Sequence, residues 1–139
     1  MRIRRENVIA AAIAVSAIIG FAPMASAACS LPGAWRMLAS YDSSSFVGVV
    51  ACKINIAVSG KFTGTCQAYN VGQAGVSAGS VAGTFSLNAQ CDLSGSFTPA
   101  GFPVNTIKAG HINGVSGAAI ATRGGNTPTQ VRMITLVKQ

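Results

Sequence analysis

The stretch Lys53-Ile54-Asn55-Ile56-Ala57-Val58-Ser59-Gly60-Lys61-Phe62-Thr63-Gly64-Thr65-Cys66-Gln67-Ala68-Tyr69 alternates between apolar and polar or small residues on both sides of Ser59-Gly60. Successive side chains of an extended chain point to opposite faces, so this alternation marks strands with one face buried. Ile54, Ile56 and Val58 share one face of the first run. Phe62, Gly64, Cys66 and Ala68 share one face of the second. Folding the chain at Ser59-Gly60 makes an antiparallel hairpin and sets Cys52 opposite Cys66, within reach of a disulfide.

The four cysteines are Cys29, Cys52, Cys66 and Cys91, at intervals of 23, 14 and 25. Four cysteines allow three pairings. The hairpin selects Cys52–Cys66, and Cys29–Cys91 follows by elimination. A structural zinc site favours close ligand pairs. No Cys-x-x-Cys occurs and His111 is the single histidine, so no metal and no cofactor are expected.

Moving outward, the same alternation recurs. Val81, Gly83, Phe85 and Leu87 form one set, and Cys91, Leu93, Gly95 and Phe97 another. The small-residue segment His111 to Thr122 places Ile112, Gly114, Ala118 and Ile120 on one side. Val131 to Val137 is apolar on both faces, as a buried strand would be. Ala34–Ser40 and Phe46–Val58 precede them, giving about eight strands. Breaks are read at residues 42–45, 59–60, 70–80, 88–90, 99–103 and 124–128. Short strands at such spacing predict an all-β fold, a small antiparallel up-and-down β-barrel, with a β-sandwich as the alternative. Glycines within strands (Gly48, Gly64, Gly83, Gly95, Gly114 and Gly117) supply the bends that a closing sheet needs. Gly60-Lys61-Phe62, Gly83-Thr84-Phe85, Gly95-Ser96-Phe97 and Gly110-His111-Ile112 share a Gly-x-apolar opening, one hairpin grammar reused along a meander.

The beginning of the chain reads differently. Met1-Arg2-Ile3-Arg4-Arg5 precedes an apolar run of 14 residues, Val8 to Phe21, which ends in Ala22-Pro23-Met24-Ala25-Ser26-Ala27. A basic start, a short apolar stretch and a small-x-small triplet describe a secretory signal peptide over residues 1–27. A transmembrane helix would need roughly 20 apolar residues. Residues 28–139 then form a single domain, secreted or periplasmic, with no transmembrane anchor. An oxidising compartment suits paired cysteines. Ser26-Ala27-Ala28-Cys29 also bears on lipid attachment at Cys29, the minor alternative, although it lacks the large aliphatic residue of a lipoprotein box.

The full chain carries 10 Lys and Arg against 3 Asp and Glu, a formal charge of +7. Beyond residue 27 the acidic side chains are Asp42 and Asp92, and the cations are Arg36, Lys53, Lys61, Lys108, Arg123, Arg132 and Lys138. Phosphate backbones are gripped by clustered cations, and these are scattered, so no nucleic acid partner is expected. Glycosidic hydrolysis requires two closely placed carboxylates. Asp42 begins a serine-rich turn, and Asp92 adjoins Cys91. A triad could use His111 and Asp92, but no Gly-x-Ser-x-Gly elbow presents a nucleophile. No Gly-x-x-x-x-Gly-Lys cradle occurs, and bridged cysteines offer no thiolate. The expectation is therefore a protein that is not an enzyme.

Cys29-Ser30-Leu31-Pro32-Gly33-Ala34-Trp35 resembles the opening Cys-Ser-Leu-x-Gly-x-Trp of the avidin family, and Gly60-Lys61-Phe62-Thr63-Gly64-Thr65 resembles its Gly-x-Phe-x-Gly strand. Gly-x-Trp also opens lipocalin barrels. The resemblance implies a barrel plugged by Trp35. It does not extend to biotin: the family's Asn and Tyr contacts fall on Met37 and Cys66, and Trp35 is the single tryptophan.

Two functions fit these readings. One is an interaction or structural module of a bacterial cell envelope or secretome, with an envelope protein as partner. The other is a lipocalin-like carrier of a small apolar ligand, with Trp35, Phe62, Phe85 and Phe97 lining the cavity. The direction taken by Lys108, Arg123 and Arg132 discriminates. Cations converging inward favour an anionic ligand, and outward ones favour surface contacts.

Overall fold

A computed structural model describes residues 29–43, 46–72, 76–124 and 130–139; the signal segment 1–27 lies outside them. Eight strands follow one another: β1 (Gly33–Ser43), β2 (Phe46–Ile56), β3 (Lys61–Asn70), β4 (Val76–Leu87), β5 (Leu93–Pro99), β6 (Asn105–Asn113), β7 (Ser116–Arg123) and β8 (Val131–Lys138). Each pairs antiparallel with the next and β8 pairs back on β1, so the sheet closes into an up-and-down barrel. Closure removes both free edges, which an open sheet of this composition would leave unpaired. One end, here the lower, carries residues 29–32, Gln139 and the β2–β3, β4–β5 and β6–β7 turns. The upper end carries the other four connections.

The alternation read from the sequence becomes the inside and outside of this barrel. Trp35, Met37, Ala39 and Tyr41 of β1 point inward and are buried, as do Val50, Cys52, Ile54 and Ile56 of β2. Phe62, Cys66, Phe85, Phe97, Ile112, Ile134 and Leu136 complete the core from the other strands. Its interior is filled by these side chains, as eight-stranded barrels permit. Phe62 lies 4.5 Å from Phe85 between ring centroids, and Phe85 lies 6.2 Å from Phe97. Gly83 faces the Phe62 ring so closely that any Cβ there would collide with it. At the lower end Trp35 donates its indole N–H to the Leu31 carbonyl at 2.6 Å, which satisfies the buried donor and plugs the barrel.

Both disulfides join the expected partners. Cys52 and Cys66 are direct cross-strand neighbours with Cα atoms 4.0 Å apart. Cys29–Cys91 ties the segment before β1 to the β4–β5 turn.

The structure departs from the sequence reading in four places. Val58 is not a strand residue; β2 ends at Ile56, and Val58 stands 92% exposed in the turn closed by the Gly60 N–H to the Ala57 carbonyl. The run His111 to Thr122 is not one strand, because a turn at Gly114-Val115, with Gly114 at φ +59°, divides β6 from β7. The break read over 70–80 is shorter, since β4 already begins at Val76. Nor is β8 apolar on both sides by burial: Val131, Met133 and Val137 are exposed while Arg132, Ile134 and Leu136 are buried.

Candidate functional site: an outer groove and a cation in the upper mouth

A concavity of about 780 Å³ lies on the outside of the barrel, where β8, β1, β2, β3 and β4 curve into a groove. Its centre is shallow-walled because Ala51, Ala78 and Gly79 are small, and longer side chains (Arg36, Leu38, Lys53, Gln67) rise around them. Leu38 is 48% exposed. Exposed Val49 and Tyr69, cross-strand partners, and Met133 continue this apolar surface toward the upper end.

Arg36 and Lys53 are direct cross-strand partners on the groove. Like charges placed so destabilise a sheet by their repulsion. Arg36 donates through Nε to the side-chain carbonyl of Gln139 at 3.0 Å, a neutral acceptor. Among the described residues no Asp or Glu lines the groove. The charged side chains of its lining, Arg36 and Lys53, are both cations.

Lys108 and Arg123 are exposed, whereas Arg132 is buried inside the upper mouth, 2% exposed. Its guanidinium carbon lies 4.0 Å from the centroid of the Tyr41 ring. Burial lowers the Arg132 pKa from its ordinary value, which the neighbouring Tyr41 partly offsets. Burial also raises the Tyr41 phenol to about 12, against the opposing pull of Arg132 and the hydrogen bond from Asn105. Asn105 Nδ2 donates to the Pro103 carbonyl at 2.9 Å and to the Tyr41 hydroxyl at 3.3 Å. In the sequence Arg132 is one of several scattered cations; its inward aim follows from sharing a face with Ile134 and Leu136.

The aromatic residues named as cavity lining are in the core, Trp35, Phe85 and Phe97 at 1% exposure and Phe62 at 4%. The structure brings Phe62, Phe85 and Phe97 together and leaves Trp35 against Leu31. A small recess of about 30 Å³ lies between Val50, Ala68, Pro99 and Phe102 near the upper end. His111 and Asp92 do meet, with Nδ1 and Oδ1 3.4 Å apart, on the open surface. Hydrogen bonds from Asn88 first, and from His111, hold the Asp92 carboxyl below the ordinary aspartate range. The Asn88 side chain also accepts the N–H groups of Gln90 and Asp92, so this carboxylate belongs to a turn motif.

Comparison with protein-family models, with curated proteins and with solved structures finds no match to this chain.

Proposed function

We propose that this chain is an exported, non-enzymatic β-barrel of a bacterial cell envelope or secretome, secreted or periplasmic, that acts as an interaction module through its outer surface. The observation that carries this reading is the groove across β8 to β4, with Arg36 opposite Lys53 and no acidic side chain among its lining. Its partner is an envelope protein presenting an acidic, partly apolar segment. Electrostatic complementarity of this kind steers encounter and fixes register. Two disulfides suit an oxidising compartment outside the cytoplasm. Lipid attachment at Cys29 would compete for the sulfur bonded to Cys91. The lipocalin-like carrier is the weaker reading, because Trp35, Phe62, Phe85 and Phe97 fill the interior among the described residues.

Site-directed photo-crosslinking in the native host tests the proposal. A photoreactive residue at Thr65, exposed on the groove, is compared with one at Ser94, exposed on β5. The expected result is a discrete protein adduct from position 65, absent from position 94 and lost when Arg36→Glu and Lys53→Glu are combined. Equal adducts at both positions, or adducts indifferent to charge reversal, overturn the groove as the interface.

A further inference from the structure

We infer that the upper mouth of the barrel is a binding site for a small carboxylate anion, held by Arg132 against the face of Tyr41. This site is separate from the outer groove and stands or falls independently of it. The alternation of β8 carries Arg132 inward with Ile134 and Leu136, and its side chain is enclosed to the same degree as theirs. A guanidinium presents five N–H donors. Nη2 donates to the Gln130 side-chain carbonyl at 2.9 Å, while Nε and Nη1 are buried with no acceptor among the described residues. The nearby Asn105, 1% exposed, likewise has its Oδ1 without a donor. Buried charges are paired as a rule, since leaving one unpaired forfeits its hydration with nothing in exchange.

Among the described residues no carboxylate bonds this guanidinium, and Asp42 attracts it only from beyond hydrogen-bond reach. Tyr41 keeps its phenol proton through the ordinary pH range, so it offers a π face and not a phenolate. Beyond the first 27 residues the acidic side chains are Asp42 and Asp92. Asp42 follows Tyr41 on β1 and is exposed on the outside of the barrel. Asp92 sits at the lower end, bonded to Asn88 and His111. The counter-ion therefore comes from solution. A carboxylate matches the planar edge of a guanidinium with two parallel hydrogen bonds. It must be small, because the Phe102 ring packs 4.9 Å from that of Tyr41.

The test is a titration of the exported, disulfide-intact, nitrogen-15-labelled protein with sodium formate, at ionic strength held constant with sodium chloride. The arginine Nε–H resonances are followed, and the Arg132 signal is assigned by its absence in Arg132→Met. The expected result is a saturable shift of that one resonance, with chloride alone producing none. Arg123→Met, which alters an exposed arginine, retains the formate response of the Arg132 resonance. Should the Met variant fail to fold, the wild-type titration decides through the number of saturating Nε–H resonances. Shifts that stay linear in formate, that affect all arginines alike, or that chloride reproduces overturn the inference.

Discussion

Gly95 and Gly101 show how two glycines of similar φ sign serve different needs. Gly95 has φ +130° within β5, and a Cβ there would fall on the Thr84 carbonyl oxygen of the neighbouring strand. Gly101 has φ +80° in the β5–β6 turn with open space around it. Gly101→Ala meets only the left-handed backbone penalty, about 1–2 kcal/mol. Gly95→Ala adds a backbone collision that the ladder must move to relieve, so its cost exceeds the first by at least about 2 kcal/mol. Urea unfolding of the two variants checks the ordering. Tyr41 supports a prediction in pH. Its folded pKa of about 12 lies above the ordinary 10, so the folded state holds its proton where the unfolded chain releases it. The stabilisation is fully present below pH 10 and is lost as pH rises toward 12. Two units correspond to about 2–3 kcal/mol at most. Stability of the native protein should fall more steeply than that of Tyr41→Phe between pH 10 and 12, measured by denaturant midpoints.

The β2–β3 hairpin and the segment before β1 are each tied by one disulfide, and the enclosed lengths differ. Cys52–Cys66 spans 14 residues and Cys29–Cys91 spans 62. In the chain-entropy account the longer loop restricts the unfolded state more, about 4 kcal/mol against about 3 kcal/mol. Cys29→Ala with Cys91→Ala should therefore lower the unfolding free energy more than Cys52→Ala with Cys66→Ala, although the second pair lies deeper in the barrel. Equal losses in urea titrations would mean that packing around the buried sulfurs outweighs loop entropy. The same two elements show what the sequence made legible. Around Ser59-Gly60 large apolar residues alternate with polar ones, so strand, turn and disulfide partner could all be read. Between Asn105 and Arg123 the residues are mostly Gly, Ala, Ser and Thr, which fit either face. The turn at Gly114-Val115 left no contrast to read, and a bulge between Ile107 and Ala109 shifts the phase again. In β8 both sets, Val131, Met133, Val137 and Arg132, Ile134, Leu136, hold large apolar residues, and the arginine makes the second the less apolar. Only the register with β7 and β1 decides that the set containing an arginine faces inward. For that reason the mouth site was invisible in the sequence. The groove was hidden for a related reason, because Arg36 and Lys53 become neighbours only through strand pairing.

Closure makes the whole molecule nearly symmetric in its connectivity. Each strand is bonded to its sequence neighbours except at the β8–β1 seam, where Trp35 meets Lys138 and Ala39 meets Ile134. In a linear chain that seam alone must be formed between distant segments, and its loop-closure entropy slows folding. The two ends of the described chain already lie together: the Gln139 N–H donates to the Ala34 carbonyl at 2.9 Å, and Lys138 Nζ reaches the Ser30 carbonyl at 3.4 Å. A flexible linker of about five residues can join residue 139 to residue 29. New termini are then opened between Gly114 and Val115, an exposed turn. This converts β8–β1 into a local hairpin and β6–β7 into the seam, leaving the number of long-range closures unchanged. The permuted protein should form the same barrel and both disulfides, with a refolding rate within about tenfold of the parent. Stopped-flow refolding under oxidising conditions measures this. A β-sandwich with crossing connections would not share this equivalence, since moving its termini changes which long-range pairings are local. A permutant that refolds slower by several orders of magnitude would show that β6–β7 is a privileged nucleus, not one of eight interchangeable junctions.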